Sequence, residues 1–183
     1  MLFVRIRVMK KISKLLIAVL VIAFAFSSCS KKSGNTPVVT AMSMTFTNNG
    51  AAKTYNTCVA LSLTVGATQE TDIAGYNLTG TNHSDDNFEI NIIHNSATLA
   101  AGQTYPVASS LDQVNAATLF FSPNATDNFN TQVGNPSGTV TITGVTSTTI
   151  TGTFSGKLYG ENDFTGTTLI YTITGGTFVA KKG

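Results

Sequence analysis

A regular alternation of apolar and polar residues constrains the fold of this chain more than any other feature of its sequence. The alternation is clear in residues 42–47, 61–65, 88–92 and 139–143, where every second residue is large and apolar. Successive side chains of a β-strand point to opposite faces, so this period of two is typical of strands with one buried face. From residue 42 onward, no window of the sequence shows an apolar stripe at helical spacing. We therefore predict a single all-β domain over residues 41–183.

Turn residues separate these predicted strands at short intervals. Asn49-Gly50 is a pair that two-residue hairpins favour, and Gly175-Gly176 interrupts the last alternating segment and predicts a β-bulge. Strands with one apolar face are typical of antiparallel sheets, whose other face meets solvent. Short strands at this spacing predict an antiparallel β-sandwich or partly open β-barrel of roughly eight to ten strands, which follows an N-terminal lipoprotein signal peptide.

Residues 1–28 have the three-part pattern of such a signal peptide. Lys10, Lys11 and Lys14 precede an apolar run from Leu15 to Phe26, which is shorter than the ~20 residues that a transmembrane helix needs. Two serines then lead to Cys29, and the arrangement resembles a bacterial lipoprotein signal, in which this cysteine is lipidated and becomes the new N-terminus. An ordinary cleaved signal, with Cys29 incidental, is the alternative.

The polar segment after the signal predicts how the domain attaches. Residues 29–40 combine the lipidated cysteine with a flexible tether that has no periodicity. Each buried methylene of an acyl chain contributes about 0.8 kcal/mol, so the chains of a lipoprotein would hold the domain at a membrane. The predicted partner is therefore the membrane, reached through the N-terminal lipid on Cys29.

The charge that remains after the signal excludes one class of function. Six lysines and nine acidic residues follow Cys29, a net charge of −3, and no arginine is among them. A protein that binds nucleic acid needs a cationic surface to neutralise phosphates. We therefore predict no nucleic-acid partner.

Cys58 is the single cysteine left once Cys29 is lipidated, so no disulfide within the chain is expected. It lies in an apolar, strand-like run, and a buried free cysteine behaves as a small hydrophobic residue. A reactive thiol would need a cation or a base close by, and the nearest charged neighbour in sequence is Lys53. We predict that Cys58 belongs to the core.

Residues 82–89 are the most polar segment, and they hold the candidate metal ligands Asp85, Asp86 and Glu89. Oxygen ligands of this kind can surround Ca²⁺, but the glycine and the final glutamate of an EF-hand loop are missing. A solvated turn that feeds an exposed strand is the alternative. A second acidic loop, residues 160–166, could hold a cation or a network of sugar hydroxyls, or it is a soluble hairpin tip.

Catalytic patterns are missing from the sequence. It contains no Gly-x-Ser-x-Gly motif, no glycine-rich phosphate loop and no pair of carboxylates that spacing would bring together. We therefore predict a protein that is not an enzyme and that needs no cofactor.

Aromatic residues supply the candidate ligand contacts: Tyr76, Phe121, Phe129 and Tyr159. Phe120-Phe121 breaks the alternation, so one of these two rings must point away from the core of a simple strand. Exposure of Phe121 would indicate a ligand or partner surface, and its burial is the equal alternative.

Several structural positions carry a family resemblance: the hairpin at Asn49-Gly50 with Tyr55, the turn at Gly102–Pro106, and the segments 138–143, 150–155 and 173–178. With the lipoprotein signal, they resemble a group of small Bacteroidota lipoproteins that are assigned to domains of unknown function. The family often has Asp-Gly-Lys and a tryptophan in its first hairpin, where this chain has Asn49-Gly50 and Tyr55. The resemblance implies an all-β fold and the cell envelope, and it brings no catalytic residue with it.

The same resemblance bears on localisation. Surface-exported lipoproteins of these bacteria usually carry acidic residues after the cysteine, where this chain has Lys31 and Lys32. We expect a lipid anchor in the outer membrane with the domain facing the periplasm; exposure on the cell surface is the alternative.

Together these features predict a membrane-anchored envelope lipoprotein with a non-enzymatic binding or structural β domain, whose partner is a protein or a glycan of the envelope. A barrel or sandwich that binds a sugar or an apolar molecule is one alternative, and it predicts a contiguous internal cavity lined by Phe and Tyr. A Ca²⁺-dependent enzyme or adhesin is the other.

Overall fold

The computed structural model describes residues 41–79, 82–95, 98–163, 165 and 168–183. The predicted signal peptide, the predicted lipidation at Cys29 and the predicted tether lie outside these residues. Within them, no helix is long and apolar enough to span a membrane.

Eleven β-strands form the described part of the chain. They are β1 Ser43–Asn48, β2 Ala51–Tyr55, β3 Thr57–Val65, β4 Thr68–Thr79, β5 Asn82–His94, β6 Thr104–Pro106, β7 Ala116–Ser122, β8 Phe129–Asn130, β9 Gly138–Val145, β10 Thr149–Gly160 and β11 Leu169–Lys182. The predicted all-β class is confirmed, and the strand number exceeds the roughly eight to ten expected. The excess arises because β6 and β8 are three and two residues long, too short to show alternation.

The strands form one sheet in the order β2-β1-β11-β3-β4-β5-β7-β8-β10-β9-β6. Most neighbours are antiparallel, but β11 pairs with β3 in parallel through Lys181 opposite Val59 and Lys182 opposite Ala60. The sheet is therefore mixed, and the prediction of a purely antiparallel sheet is wrong. Alternation shows which face of a strand is buried but not the direction of its neighbour, so it could not reveal this pair.

The pairing of β10 with β11 links the third strand of this order to the third strand from its other end. The two strands pair with each other along most of their length, and on its other edge β11 pairs with β1 and β3. On its other edge β10 pairs with β9 and β8. Followed through hydrogen-bonded neighbours, β3, β4, β5, β7, β8, β10 and β11 lead back to β3.

Two turn predictions are confirmed in backbone geometry. Asn49 and Gly50 both have positive φ, 48° and 86°, as a two-residue hairpin turn between β1 and β2 requires. In β11 the register shifts around Gly175, whose φ is 60°, against both β1 and β10, which is the predicted bulge.

The core is built from the apolar residues of the alternating strands, and aromatic rings occupy its centre. The rings of Phe46 and Phe88 have centroids 4.8 Å apart, and those of Phe88 and Phe154 are 5.0 Å apart. Phe121 and Tyr55 join the same group through Phe46. These distances are those of rings in direct contact. Cys58 is fully buried beside them, as predicted, and burial raises the pKa of its thiol to about 12.

Candidate functional site

A cleft of about 190 Å³ opens where the loop before β8 meets the turn after β10. Its walls are formed by two short polar segments: Thr126, Asp127, Asn128, Phe129, Gly160, Glu161, Asn162 and Asp163. Gly160 pairs with Phe129 across β8 and β10, and the Glu161 N–H donates to the Asn128 carbonyl at 3.0 Å. These main-chain bonds hold the two walls together without using their side chains.

The first wall is shaped by Asn124. Its side-chain oxygen accepts hydrogen bonds from the N–H groups of Thr126 and Asp127, both at 2.9 Å, which fixes a tight turn. Its amide donates to the Asp127 carboxylate at 2.8 Å, and the Ser122 hydroxyl donates to the Asn128 side-chain oxygen at 2.7 Å. The polar groups of this wall are therefore held in place within the chain.

The second wall is a turn closed by Asp163. Its N–H donates to the Gly160 carbonyl at 2.9 Å. Its carboxylate accepts hydrogen bonds from the Thr165 hydroxyl at 2.7 Å and from the Thr168 N–H at 2.8 Å. Asp163 thus shapes the loop, while Glu161 and Asn162 line the cleft beside it.

Phe129 is the aromatic group of the cleft. Its half-buried ring stands edge-on to Tyr171, with centroids 4.7 Å apart at 84°. Tyr171 in turn stands edge-on to the core ring of Phe121 at 5.3 Å. This row of contacts anchors the cleft to the core, so the position of Phe129 is set by packing.

The other aromatic candidates lie elsewhere. Tyr159 is buried next to the cleft, and its hydroxyl donates to the Asn135 carbonyl at 3.1 Å. Phe121 is buried in the core, and Phe120 is the half-buried ring on the opposite face of β7. Tyr76 lies half-buried on β4, where its pKa is raised mainly by burial and also by nearby Cys58. Of the four candidates, Phe129 alone lines the cleft.

The three predicted cation ligands do not share a face. Asp86 accepts a hydrogen bond from the Tyr55 hydroxyl at 2.7 Å and forms an ion pair with Lys53 at 2.5 Å. Along β5, Asp86 lies on the same face as the core residue Phe88. Asp85 and Glu89 lie on the opposite face of the strand. In the described ranges, no group of three Asp, Glu, His or Cys side chains is arranged as a metal site.

Glu89 instead belongs to an acidic cluster that the sequence did not predict. It lies on the outer face of β4 and β5 with Glu70 and Asp72, around Asn91. Burial raises the pKa of Glu89 to about 7, and the negative charges of nearby Asp72 and Glu70 contribute to this rise. Burial and Glu70 likewise raise the pKa of Asp72 to about 6. In the sequence, the signal for this cluster is that polar residues occupy alternate positions on both strands. That spacing shows which residues of one strand share a face, but only the cross-strand register shows which residues of the two strands meet.

Comparison of the chain with protein-family models, with curated proteins and with solved structures finds no match. The resemblance to Bacteroidota lipoproteins therefore stays a prediction.

Proposed function

We propose that this protein is a non-enzymatic binding domain, tethered to the cell envelope through a lipid on Cys29, that holds a carbohydrate in the cleft between residues 126–129 and 160–163. The observation that carries the proposal is the composition of this cleft. Carboxylate, amide and hydroxyl groups line it together with one aromatic ring.

Carbohydrates present the groups that such a lining can recognise. Sugar hydroxyls donate to carboxylates such as Glu161 and exchange hydrogen bonds with amides such as Asn162. The C–H face of a sugar ring packs against an aromatic ring, the part that Phe129 would play. Acidic side chains in both walls disfavour an anionic ligand, so the proposed ligand is a neutral or an amino sugar.

The dimensions of the cleft limit how much ligand it can enclose. Its volume of about 190 Å³ lies below the ~300 Å³ at which drug-sized pockets begin. One sugar ring, or the end of a longer glycan, fits this size better than an extended chain. A small, shallow cleft binds its ligand weakly. A lipid anchor would hold the protein near a ligand of the envelope and so raise its effective concentration there.

The scaffold favours a surface site over an internal one. We propose that the sheet closes as a partly open β-barrel, and the return of hydrogen-bonded pairing from β10 and β11 to β3 supports this. Rings of Phe46, Phe88 and Phe154 pack against one another within the core. An apolar ligand would have to displace them, so the packing supports the sugar alternative over the apolar one.

The non-enzymatic part of the proposal rests on the chemistry of the candidate groups. The thiol of Cys58 is buried with a raised pKa, and the Asp163 carboxylate accepts hydrogen bonds within its own loop. The outer-membrane anchor, facing the periplasm, rests on the signal pattern and the tether alone.

The test is glycan binding by the full-length chain purified in a mild detergent. A panel of neutral and amino-sugar glycans of the envelope is screened, and affinities are then measured by calorimetry. We expect one class to bind, with Glu161→Gln and Asn162→Ala each lowering the affinity at least about tenfold, because each removes a polar contact to the ligand.

Asp112→Asn is the matched control, since Asp112 is an exposed carboxylate outside the cleft. It should bind like the wild type. No binding across the panel, or equal affinity in all variants, would refute the proposal.

A further inference from the structure

The second half of β3, residues 61–65, is an open edge within the sheet. β4 pairs with these residues on one side. On the other side β11 pairs with β3 at Val59 and Ala60, and β11 ends at Lys182, opposite Ala60. In the part of the chain that the structure describes, no strand pairs with residues 61–65 on that second side. This edge is separate from the proposed cleft.

Ser62 and Thr64 direct their main-chain groups toward the open side. The Gly183 N–H donates to the Ala60 carbonyl at 2.9 Å, so Ala60 points its carbonyl to the side of β11. In a strand, every second residue bonds to the same neighbour, so Ser62 and Thr64 repeat the direction of Ala60. Both residues are exposed, and the Leu63 side chain between them is 51% exposed. The open edge therefore combines free hydrogen-bonding groups with an exposed leucine.

The two ends of the sheet order carry features that hinder the addition of a strand. β2 has Lys53 on its core face, opposite Phe46, where it forms an ion pair with Asp86. β6 is three residues long and ends in Pro106. Inward-pointing charges, short strands and proline are natural protections of a sheet edge. β3 has no charged residue, no proline and no shift in its register with β4, so its open half lacks these protections.

We propose that residues 61–65 of two copies of this chain pair edge to edge, as antiparallel strands around a two-fold axis at Leu63. In that register Ser62 of each copy lies opposite Thr64 of the other, so their main-chain N–H and carbonyl groups bond to one another. The two Leu63 side chains meet at a position without hydrogen bonds, where side chains of neighbouring strands are closest. A two-fold dimer needs a surface that is complementary to itself, and this uncharged segment provides one.

Charge and space permit this arrangement. Glu70 lies directly opposite Leu63 on β4. In the dimer, three strand spacings separate the main chains of the two Glu70 residues, a distance of about 14 Å. That distance exceeds the Debye length of about 8 Å at physiological ionic strength, so their repulsion is screened. Gly66 of the second copy comes beside Ala60 and Gly183, where a residue without a side chain leaves room for the close approach.

The size of the contact sets its strength. A stable complex uses roughly 20–30 residues on each side, far more than this short segment supplies. We therefore expect a weak, reversible dimer that forms at high protein concentration.

The first test is disulfide cross-linking of the full-length chain in mild detergent. Cys29→Ser leaves Cys58 as the single native cysteine, and its buried thiol, with a pKa raised to about 12, does not compete. Across the two-fold axis, the Cα atoms of residue 63 would lie about 4.5–5.5 Å apart, within the range of a disulfide. Leu63→Cys in this background should therefore form a linked dimer under mild oxidation.

Two control variants make the cross-linking test specific for the register. The two copies of residue 61 would lie about 14 Å apart, so Leu61→Cys should link at least about tenfold less. Leu78→Cys replaces an exposed leucine near the far end of β4 and reports random collisions. Equal linking of all three variants would overturn the proposal. A thiol at position 63 that neither links nor reacts with a thiol reagent would overturn it too, because another part of the same chain would then cover this edge.

The second test is sedimentation equilibrium of the chain without cysteine substitutions, in density-matched detergent. We expect a monomer–dimer equilibrium that Leu63→Lys weakens at least about tenfold, because it places two like charges opposite each other. Leu78→Lys is the matched control, since it changes another exposed leucine, and it should dimerise like the wild type. Melting temperatures close to that of the wild type would show that both variants fold. A wild type that stays monomeric, or dimers that Leu63→Lys leaves unchanged, would refute the proposal.

Discussion

Replacing Asp86 tests whether this carboxylate is a structural group of the core rather than a free ligand. The Tyr55 side chain is fully buried, and its hydroxyl donates to Asp86 at 2.7 Å. Asp86→Ala leaves that hydroxyl without an acceptor, which costs about 1–3 kcal/mol. Loss of the partly exposed ion pair with Lys53 adds at most about 1 kcal/mol. We expect a total loss of about 1–4 kcal/mol.

A double-mutant cycle separates this bond from other effects of the substitution. Tyr55→Phe removes the donor and should cost about 1.5 kcal/mol, since the bond is to a carboxylate. Combined with Asp86→Ala, the loss should fall about 1–2 kcal/mol short of the sum, because both changes remove the same interaction. Urea unfolding followed by circular dichroism gives the free energy of unfolding of the wild type, the two single variants and the double variant. Asp85→Ala, which removes an exposed carboxylate, is the control and should lie within about 0.5 kcal/mol of the wild type. The reasoning fails if Asp86→Ala behaves like Asp85→Ala, or if the two changes are additive.

Three further predictions concern other parts of the chain. Burial and like charge raise the folded-state pKa of Glu89 to about 7 and of Asp72 to about 6, so the folded chain binds protons more tightly than the unfolded chain there. The melting temperature should therefore fall as the pH rises from 5 to 8, and Glu89→Gln should flatten that slope. A melting temperature that rises over this range would contradict the raised pKa values of the two carboxyl groups. Gly176→Ala would place a methyl group 2.6 Å from the Phe154 carbonyl, so it should cost at least about 2 kcal/mol in urea unfolding. Gly160→Ala, which meets nothing within 4 Å, should cost under about 1 kcal/mol, and equal losses would refute the packing. Cys58, buried with a pKa of about 12, should stay unlabelled by a thiol reagent at pH 8 until denaturant is added, and rapid labelling in buffer would show that it is accessible.

Much of the fold could be predicted because alternation and turn chemistry act locally. The hairpin at Asn49-Gly50 and the bulge at Gly175 each follow from backbone angles that these residues tolerate. Phe120-Phe121 marked a strand with rings on both faces but could not say which ring was buried, because that depends on neighbouring strands. The parallel contact of β11 with β3 joins segments more than 100 residues apart, and no local signal records it.

The cleft and the acidic cluster were harder to predict from the sequence, because each is assembled from strands or loops that are distant in the chain. The cleft joins a loop near Phe129 to a loop near Glu161, and the pairing of β8 with β10 brings them together. The acidic cluster depends on the register that sets Asp72 opposite Asn91. In both cases residue types indicated polar chemistry, while the strand pairing decided which groups meet.

The measurement that tests the proposed function most directly is an amide chemical-shift titration of the isotope-labelled chain with the glycan class that binds in the panel. A sugar held in the cleft should move the N–H signals of residues 126–129 and 160–163 in a saturable way. Signals on β4 and β5 should stay in place, since the acidic cluster lies elsewhere. Shifts confined to other parts of the chain, or no saturable shift with any glycan, would contradict a carbohydrate site in this cleft.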